Sequence, residues 1–474
     1  MNEDSICNSI YSILNVDNKA VFDPTFWIDR LEEASSVLME PVEIGNLNHK
    51  IASRMQEHQL ENYYFNFNSS YFLEKERKVE KDLFVKEMEK INTLQNLMEL
   101  STKDLYTSWG RKISTLNIES LYKYLSNFEN YKKKLPAYIQ ISFGFTTKKC
   151  SVKSLPIAKK ISNSPNFPFQ DLLALTTLSP GEPILVYQKS FDSRWYFVQS
   201  YFYSGWIKVD DFITVSRETF INYLSSDSFL VVTESKVETE DLAHFSKLKF
   251  QMGDKIILAT EIETQQFYSK LGYCFPEGCY PLKILFDRSV DKSYKCEDGF
   301  AVYPLSGSKE VKRDFLAFTR ENIIKQAFKM LGERYGWGGS NDNRDCSRFI
   351  MDIFKTFGLF LPRDSKYKET MVFPSSFQFS SDISERKTIL DKLLAGDLLF
   401  MKGHVMMYLG KLKDKYYVIH QGSGFRRKDE NGVFKIFDIH GTFVMDLSSY
   451  TMNSNLTYLE SLSSAITFKG VKFI

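Results

Sequence analysis

Tyr335-Gly-Trp-Gly-Gly-Ser-Asn-Asp-Asn-Arg-Asp-Cys-Ser-Arg-Phe-Ile-Met-Asp-Ile-Phe-Lys-Thr-Phe357 is the stretch on which the fold turns. Its first half is a glycine-rich loop. Its second half opens at Cys346 as an apolar helix and stops at Gly358. A thiol at a helix N-terminus faces the positive end of the macrodipole and the free backbone N–H groups. That position is expected to lower its pKa and favour the thiolate, the nucleophilic form. Downstream, His404-Val-Met-Met-Tyr-Leu409 and Tyr416-Tyr-Val-Ile-His420 read as neighbouring strands. If Lys411 to Lys415 is the hairpin loop, His404 falls within two positions of the residue opposite His420, and on the same face. The two imidazoles then touch. One serves as base to the thiol while the other fixes its tautomer, which makes a cysteine-nucleophile triad. His440, in Asp438-Ile-His-Gly441, is a rival third member.

Around this block the order of elements is α+β. Thr319 reads as the N-cap of a helix from Arg320 to Leu331 with Gly332 after it, and the antiparallel strands follow the helices. From about Leu135-Pro136 to Phe212 the texture is short strands between turns, including Pro183–Gln188, Trp195–Ser200 and Trp206–Val209, which suggests a small barrel. A similar block runs from about Ser228 to Arg313, with strands Phe229–Thr233 and Lys255–Ala259. The N-terminal part reads as mainly helical. Its clearest segment is Tyr71–Leu100, where Leu73, Phe84, Met88, Ile91, Leu94 and Met98 recur at helical spacing. The expected domains are therefore 1–135, 136–225, 226–313 and 314–474.

Length and charge bound the function. A chain of 474 residues is expected to form two to four domains. The net charge of +2 offers no field that would recruit nucleic acid. The 40 Phe and 26 Tyr residues read as cores of small β domains. Among the six cysteines, Cys274 and Cys279 are close in sequence, but no paired CxxC or HExxH accompanies them, so a zinc site is not expected. No cofactor is expected. Gly336-Trp-Gly-Gly339 lacks the GK[ST] or GxGxxG that would mark a phosphate cradle. Trp337 reads as a core aromatic. The N-terminus, Met1-Asn-Glu-Asp-Ser-Ile-Cys7, has no n-region and no apolar h-region, and no run is long and apolar enough for a membrane span. A cytoplasmic monomer is expected, or a periplasmic or secreted one if a signal has been removed.

Six motifs in order resemble those of NlpC-type papain-like cysteine peptidases: Tyr335-Gly-Trp-Gly-Gly339, Asp345-Cys-Ser347, Leu361-Pro-Arg-Asp-Ser365, Gly396-Asp-Leu-Leu-Phe400, Gly403-His-Val405 and Val418-Ile-His420. Upstream, Leu178-Ser-Pro-Gly-Glu-Pro183, Trp195-Tyr-Phe-Val198 and Gly205-Trp-Ile207 are similar to the bacterial SH3-like barrel of one subgroup, the γ-D-glutamyl-L-diamino acid endopeptidases, also called dipeptidyl-peptidase VI. The resemblance implies a helical N-terminal clip, two SH3-like barrels and a peptidase domain of helices packed on an antiparallel sheet. It implies Cys346 as nucleophile, His404 as general base and His420 as the orienting residue. It also implies a substrate pocket of Tyr335, Asp345, Ser347, Asp364 and Ser365, with Tyr335 near the oxyanion and Asp364 or Asp345 on a free α-amino group. The substrate it implies is a peptidoglycan-derived peptide, L-Ala-γ-D-Glu-diamino acid. A barrel aromatic would close the pocket, Phe167 and Phe169 being the candidates. Two features depart from the family pattern: Arg348 stands where Gly is common, and the loop from Tyr335 to Cys346 is one residue short. A silent wall-peptide-binding module, a general wall endopeptidase and an acyltransferase are the alternative functions on the same fold.

Overall fold

Thr319 accepts a hydrogen bond from the Asn322 backbone N–H at 3.1 Å and starts helix α1 (Arg320–Phe328) at the cap expected for it. This computed structural model describes residues 18–58, 78–91, 104–107, 110–113, 130–165, 170–240, 246–285, 299–370, 376–428, 431–451 and 456–468. The chain divides into two units. One holds Met1–Ile51, Phe315–Tyr335 and Asn343–Ile474, and the other holds Ala52–Asp314 and Gly336–Asp342. The stretch 1–135, read from sequence as one region, is thus divided between them at Ile51.

In the C-terminal unit, helix α2 (Cys346–Lys355) begins at Asp345, whose carboxylate accepts from the Arg348 N–H at 2.9 Å. All ten of its residues are buried, because it packs against the sheet with its apolar positions and satisfies its charged ones internally. Helix α3 (Ser365–Thr370) follows after a loop. The sheet has strands β1 (Ser376–Gln378), β2 (Leu398–Met401), β3 (His404–Leu412), β4 (Lys415–Lys428), β5 (Phe434–Asp446) and β6 (Leu462–Ile466). Their order is β1-β6-β2-β3-β4-β5, antiparallel throughout. The β3–β4 hairpin has the expected register: Met407 faces Ile419 and Tyr408 faces Val418, with a bulge before Gly410. Gly410 has φ +139, a backbone conformation that favours glycine. A Cβ on it would lie 3.1 Å from the Trp27 ring. Trp27 is part of the N-terminal segment, which covers this unit: its helix Pro24–Ile28 packs on α1, and Val37–Met39 pairs with Phe318–Thr319. Asn48 joins the same layer, donating to Gly358 O and accepting from the Phe360 N–H.

The other unit carries a seven-stranded antiparallel sheet in the order Phe212–Val215, Ser142–Thr146, Pro183–Lys189, Trp195–Gln199, Ser204–Lys208, Cys150–Lys153, Ala174–Leu178. Three of these strands are those expected from the turn spacing. The core is aromatic: Phe197 stands edge-on to Phe84 and Trp206, at centroid distances of 5.5 and 5.4 Å. Phe84 comes from the helix Lys81–Ile91, the described part of the Tyr71–Leu100 prediction. The following block has Phe229–Val232 between Lys255–Ile257 and Val311–Arg313, and a hairpin of Cys279–Leu285 with Phe300–Ser306. It also contains a helix, Glu261–Leu271, that strand spacing alone did not suggest. Its signal was present in the sequence, a capping box of Thr260 and Glu263 with Gly272 behind it.

The segment Gly336–Asp342 belongs to this second unit although it lies just before the nucleophile candidate. Gly338 has φ +57, and a Cβ on it would sit 2.4 Å from Ala174 O, so only glycine fits against the strand. Asp342 pairs with Lys149 at 3.2 Å. Trp337 is 44% exposed, which corrects its reading as a core aromatic. Gly338 and Gly339 press the loop backbone onto the strand Ala174–Leu178, and Trp337 stands just before them on the exposed side of the loop. No helix of the described residues is long and apolar enough to cross a membrane.

Candidate active site

Cys346 is the first residue of α2, and its side chain is buried against β3, where the Val405 backbone N–H donates to the sulfur. The next residue back on that strand is His404. His404 Nε2 lies 2.8 Å from His420 Nδ1, so the two imidazoles touch as the hairpin register requires. For His404 to offer a basic Nδ1, its proton sits on Nε2 and is donated to His420. His420 then carries its own proton on Nε2, a buried atom with no hydrogen-bond partner among the described residues. The ring stands against Phe443 at 4.4 Å and Tyr458 at 5.9 Å between centroids. Gly422 leaves space for it: a Cβ there would come 2.9 Å from His420 Cε1. His440 is on β5 with φ +49, and its carbonyl accepts from the Tyr335 N–H; the partner of His404 is His420.

Burial sets the protonation of this group. Burial lowers the His404 imidazole to about 4, against a smaller upward pull from Asp345. Burial and the neighbouring His404 hold His420 well below its ordinary range. Burial and the Asp345 carboxylate push the Cys346 thiol up, to about 11, with the Val405 N–H, Arg363 and Lys368 pulling it back. The expectation of a lowered thiol pKa is therefore corrected for the resting site. Desolvation of the anion outweighs the helix terminus. Both shifts favour a neutral thiol and a neutral imidazole in the resting site.

Asp345 is wholly engaged. Besides capping α2, it accepts from Arg363 Nη1 at 2.9 Å, from Arg363 Nη2 at 2.5 Å and from the Ser347 hydroxyl at 3.1 Å. Arg363 Nη1 also donates to Ser347 Oγ at 2.6 Å. Burial would raise the Asp345 carboxyl, but the Arg363 guanidinium and these hydrogen bonds hold it below 3.8. Asp345 and Ser347 are thus brought to the site as a clamp under the nucleophile. Asp364 is half-buried, beside Ser365 at the start of α3. Tyr335 is half-buried, and burial, then Asp345 and Cys346, push its phenol up, so it stays protonated as a donor beside the thiol. Phe167 and Phe169 lie outside the described residues.

Three contributors were not assigned from sequence. Arg363 was quoted within a motif without a role. Its signal was a guanidinium in a loop that also holds Pro362 and Asp364. Tyr458, near both histidines, carried no local signal. Arg348, noted as a departure from the pattern, proves to be structural. Its Nε donates to Asp352 Oδ1 at 2.6 Å, Arg344 Nε donates to Asp352 Oδ2 at 2.7 Å, and Arg344 Nη1 reaches Glu333 at 2.7 Å. Asp352, one turn along from Arg348, was the available signal.

Residues 332–432 match the family model described as NlpC/P60 family, and residues 161–208 match that of an SH3 domain of the SH3b1 type. A stretch of 93 residues is 31% identical to the protein named dipeptidyl-peptidase 6 from Lysinibacillus sphaericus, covering 19% of this chain and 30% of that one. Another of 101 residues is 36% identical to gamma-D-glutamyl-L-lysine dipeptidyl-peptidase of Bacillus subtilis (strain 168), again 19% and 30%. The match spans less than a third of the length of these relatives. A solved structure, that of an NlpC/P60 endopeptidase from Photobacterium damselae subsp. piscicida, superposes with a TM-score of 0.68 over 94% of this chain and 96% of its own, at 16% identity. At that identity the likeness is one of fold.

Proposed function

We propose that residues 332–432, which match the NlpC/P60 family model, form a domain of that family, and that this protein is a cysteine peptidase hydrolysing the γ-D-Glu–diamino acid bond of peptidoglycan peptides, with preference for a free N-terminal L-Ala. The observation that carries the reading is the buried 2.8 Å His404–His420 pair on the strand against which the Cys346 thiol lies. In the proposed reaction His404 Nδ1 takes the thiol proton and the sulfur attacks the γ-carbonyl carbon. The Tyr335 phenol donates to the developing oxyanion, a role worth several kcal/mol in comparable sites. The His404 imidazolium, steadied by His420, then protonates the leaving amine of the diamino acid. Water, activated by His404, releases L-Ala-D-Glu from the thioester and restores the thiol.

The amine preference rests on Asp364. Asp345 has both its oxygens on Arg363, and Asp364, half-buried at the head of α3 and facing Lys368, is the second carboxylate at the site. An N-acetylated substrate would leave its carboxylate without the ammonium partner. Breaking one side of a fully buried pair costs ~3–5 kcal/mol; with Asp364 half-buried the expected loss is smaller, about one to two decades of rate at ~1.4 kcal/mol per decade. Incubation with L-Ala-γ-D-Glu-meso-diaminopimelate, with mass spectrometry of the products, tests the reaction: L-Ala-D-Glu and free diaminopimelate are expected. Comparing kcat/KM for the free and N-acetylated tripeptides tests the preference. Equal values would redefine the protein as a general wall endopeptidase. A free-amine requirement suits released wall fragments, so we place the enzyme in the cytoplasm, where cell fractionation would find it.

A further inference from the structure

Lys368 is a lysine with no exposed surface that the reaction above does not use. It lies on α3, and its ammonium donates to two successive backbone carbonyls, Pro362 O and, at 2.9 Å, Arg363 O. A buried ammonium is costly unless it is fully used. Here the two acceptors belong to the turn that leads directly into Asp364 and Ser365. The same turn carries the Arg363 guanidinium that grips Asp345 and Ser347, and Asp345 caps the nucleophile helix. The sequence of contacts therefore runs from Lys368 through the Arg363 backbone and side chain to Asp345 and so to Cys346. Every side chain in it is buried.

We propose that Lys368 is a positioning residue of the peptidase site, its ammonium fixing the Pro362–Arg363 turn and so setting both the Asp364 and Ser365 pocket and the charge behind Cys346. The kinetic half of this rests on the function proposed above; the charge half does not. The groups that face Lys368 are Arg363 and Asp364 from its own loop, Asp345 and Cys346 from α2, and beyond them His404 from β3. Burial, then Arg363, lowers Lys368 to about 7, while Asp345 is held low, His404 titrates near 4 and Cys346 near 11. Of the groups facing the thiol, Lys368 is thus the one whose proton burial and Arg363 loosen towards neutral pH. As Lys368 loses its proton the thiol becomes harder to ionise. The rate of Cys346 alkylation should therefore climb by less than the tenfold per pH unit of an isolated thiol.

The test uses the full chain, with iodoacetamide as probe and mass spectrometry to read the Cys346 peptide separately from the exposed Cys274. Wild type is expected to show the shallow rise over pH 6–8, and Lys368→Met the full tenfold per unit. On the tripeptide, Lys368→Met should raise KM by about tenfold to a hundredfold, the scale of a charge-assisted hydrogen bond, and change kcat less. Lys368→Gln keeps N–H donors for the carbonyls. It should recover most of the KM and keep the steep alkylation profile, and it serves as the test if the Met variant does not fold. A folded Lys368→Met or Lys368→Gln with the wild-type alkylation profile overturns the charge role. A folded Lys368→Met with wild-type KM overturns the positioning role. If the wild type cleaves no wall peptide, the function fails while the alkylation comparison still decides Lys368.

Discussion

The barrel unit and the start of α2 bury their side chains on opposite terms. The barrel closes over Phe84, Phe145, Phe197 and Trp206, each with essentially no exposed surface, and its sheet satisfies the backbone. The start of α2 buries Asp345, Ser347, Arg348, Asp352, Arg344 and Arg363, all under 9% exposed, and satisfies them with one another. Apolar burial is favourable by roughly 25 cal/mol per Å² and does not depend on direction. Buried ions gain little or nothing net over an apolar filling, but breaking a pair is severe. The barrel therefore holds shape through volume, and the α2 terminus holds position through directed bonds. That is the arrangement expected where a thiol and an imidazole must be kept in register.

The sharpest way to break this comparison is Cys346→Ala. Peptide cleavage should vanish while thermal unfolding stays close to wild type, and Cys346→Ser should be nearly dead, because a hydroxyl is far less acidic than a thiol. More than a few per cent of activity in the purified Ala variant would end the nucleophile assignment. Next in size, His404→Ala should cost ~10²–10⁴-fold in kcat, and His420→Gln less, since an amide can still accept from His404 Nε2. Equal or reversed losses would exchange the two roles.

The same dyad predicts a pH dependence of definite sign. A base lowered to about 4 stays available down to that pH, so the acid limb of kcat/KM should fall near 4 and not near 6.5. For stability, the unfolded chain takes up a proton at His404 below about 6.5 that the folded chain refuses until about 4. The contribution is whole above 6.5 and is lost as pH falls from 6.5 towards 4. Asp345 acts lower: its folded pKa is below 3.8, so its contribution is present above that value and disappears on further acidification. Urea unfolding at pH 7, 5 and 3.5 reads both.

A paired substitution then compares the two regions directly. Arg363→Met leaves the Asp345 carboxylate buried without its cation and should cost ~3–5 kcal/mol. Phe197→Ala opens a cavity in the barrel for a similar ~3–5 kcal/mol. Kinetics below the melting point should separate them: Arg363→Met loses kcat as well as stability, and Phe197→Ala loses stability first. Comparable kcat losses would mean that the clamp is structural only. The smallest effect belongs to Trp337→Ala, exposed on the loop, which should change stability by less than ~0.5 kcal/mol. A larger loss would restore the core reading of Trp337.

Local rules in the sequence were enough for the helix at Cys346, the cap at Thr319, the stop at Gly358 and the β3–β4 register, because caps, glycine φ and hairpin pairing act within a few residues. The contact of His404 with His420 follows from that register alone. Three matters needed the tertiary structure. The thiol pKa rises because burial depends on what covers α2, and neighbours in sequence do not reveal it. Arg348 and Arg344 become tolerable inside only because Asp352 and Glu333 arrive at the same point. And Asp345, given a pocket role by the resemblance alone, has both its oxygens held by Arg363, 18 residues on. Charges and desolvation act through space, and a chain read in order gives their participants without their distances.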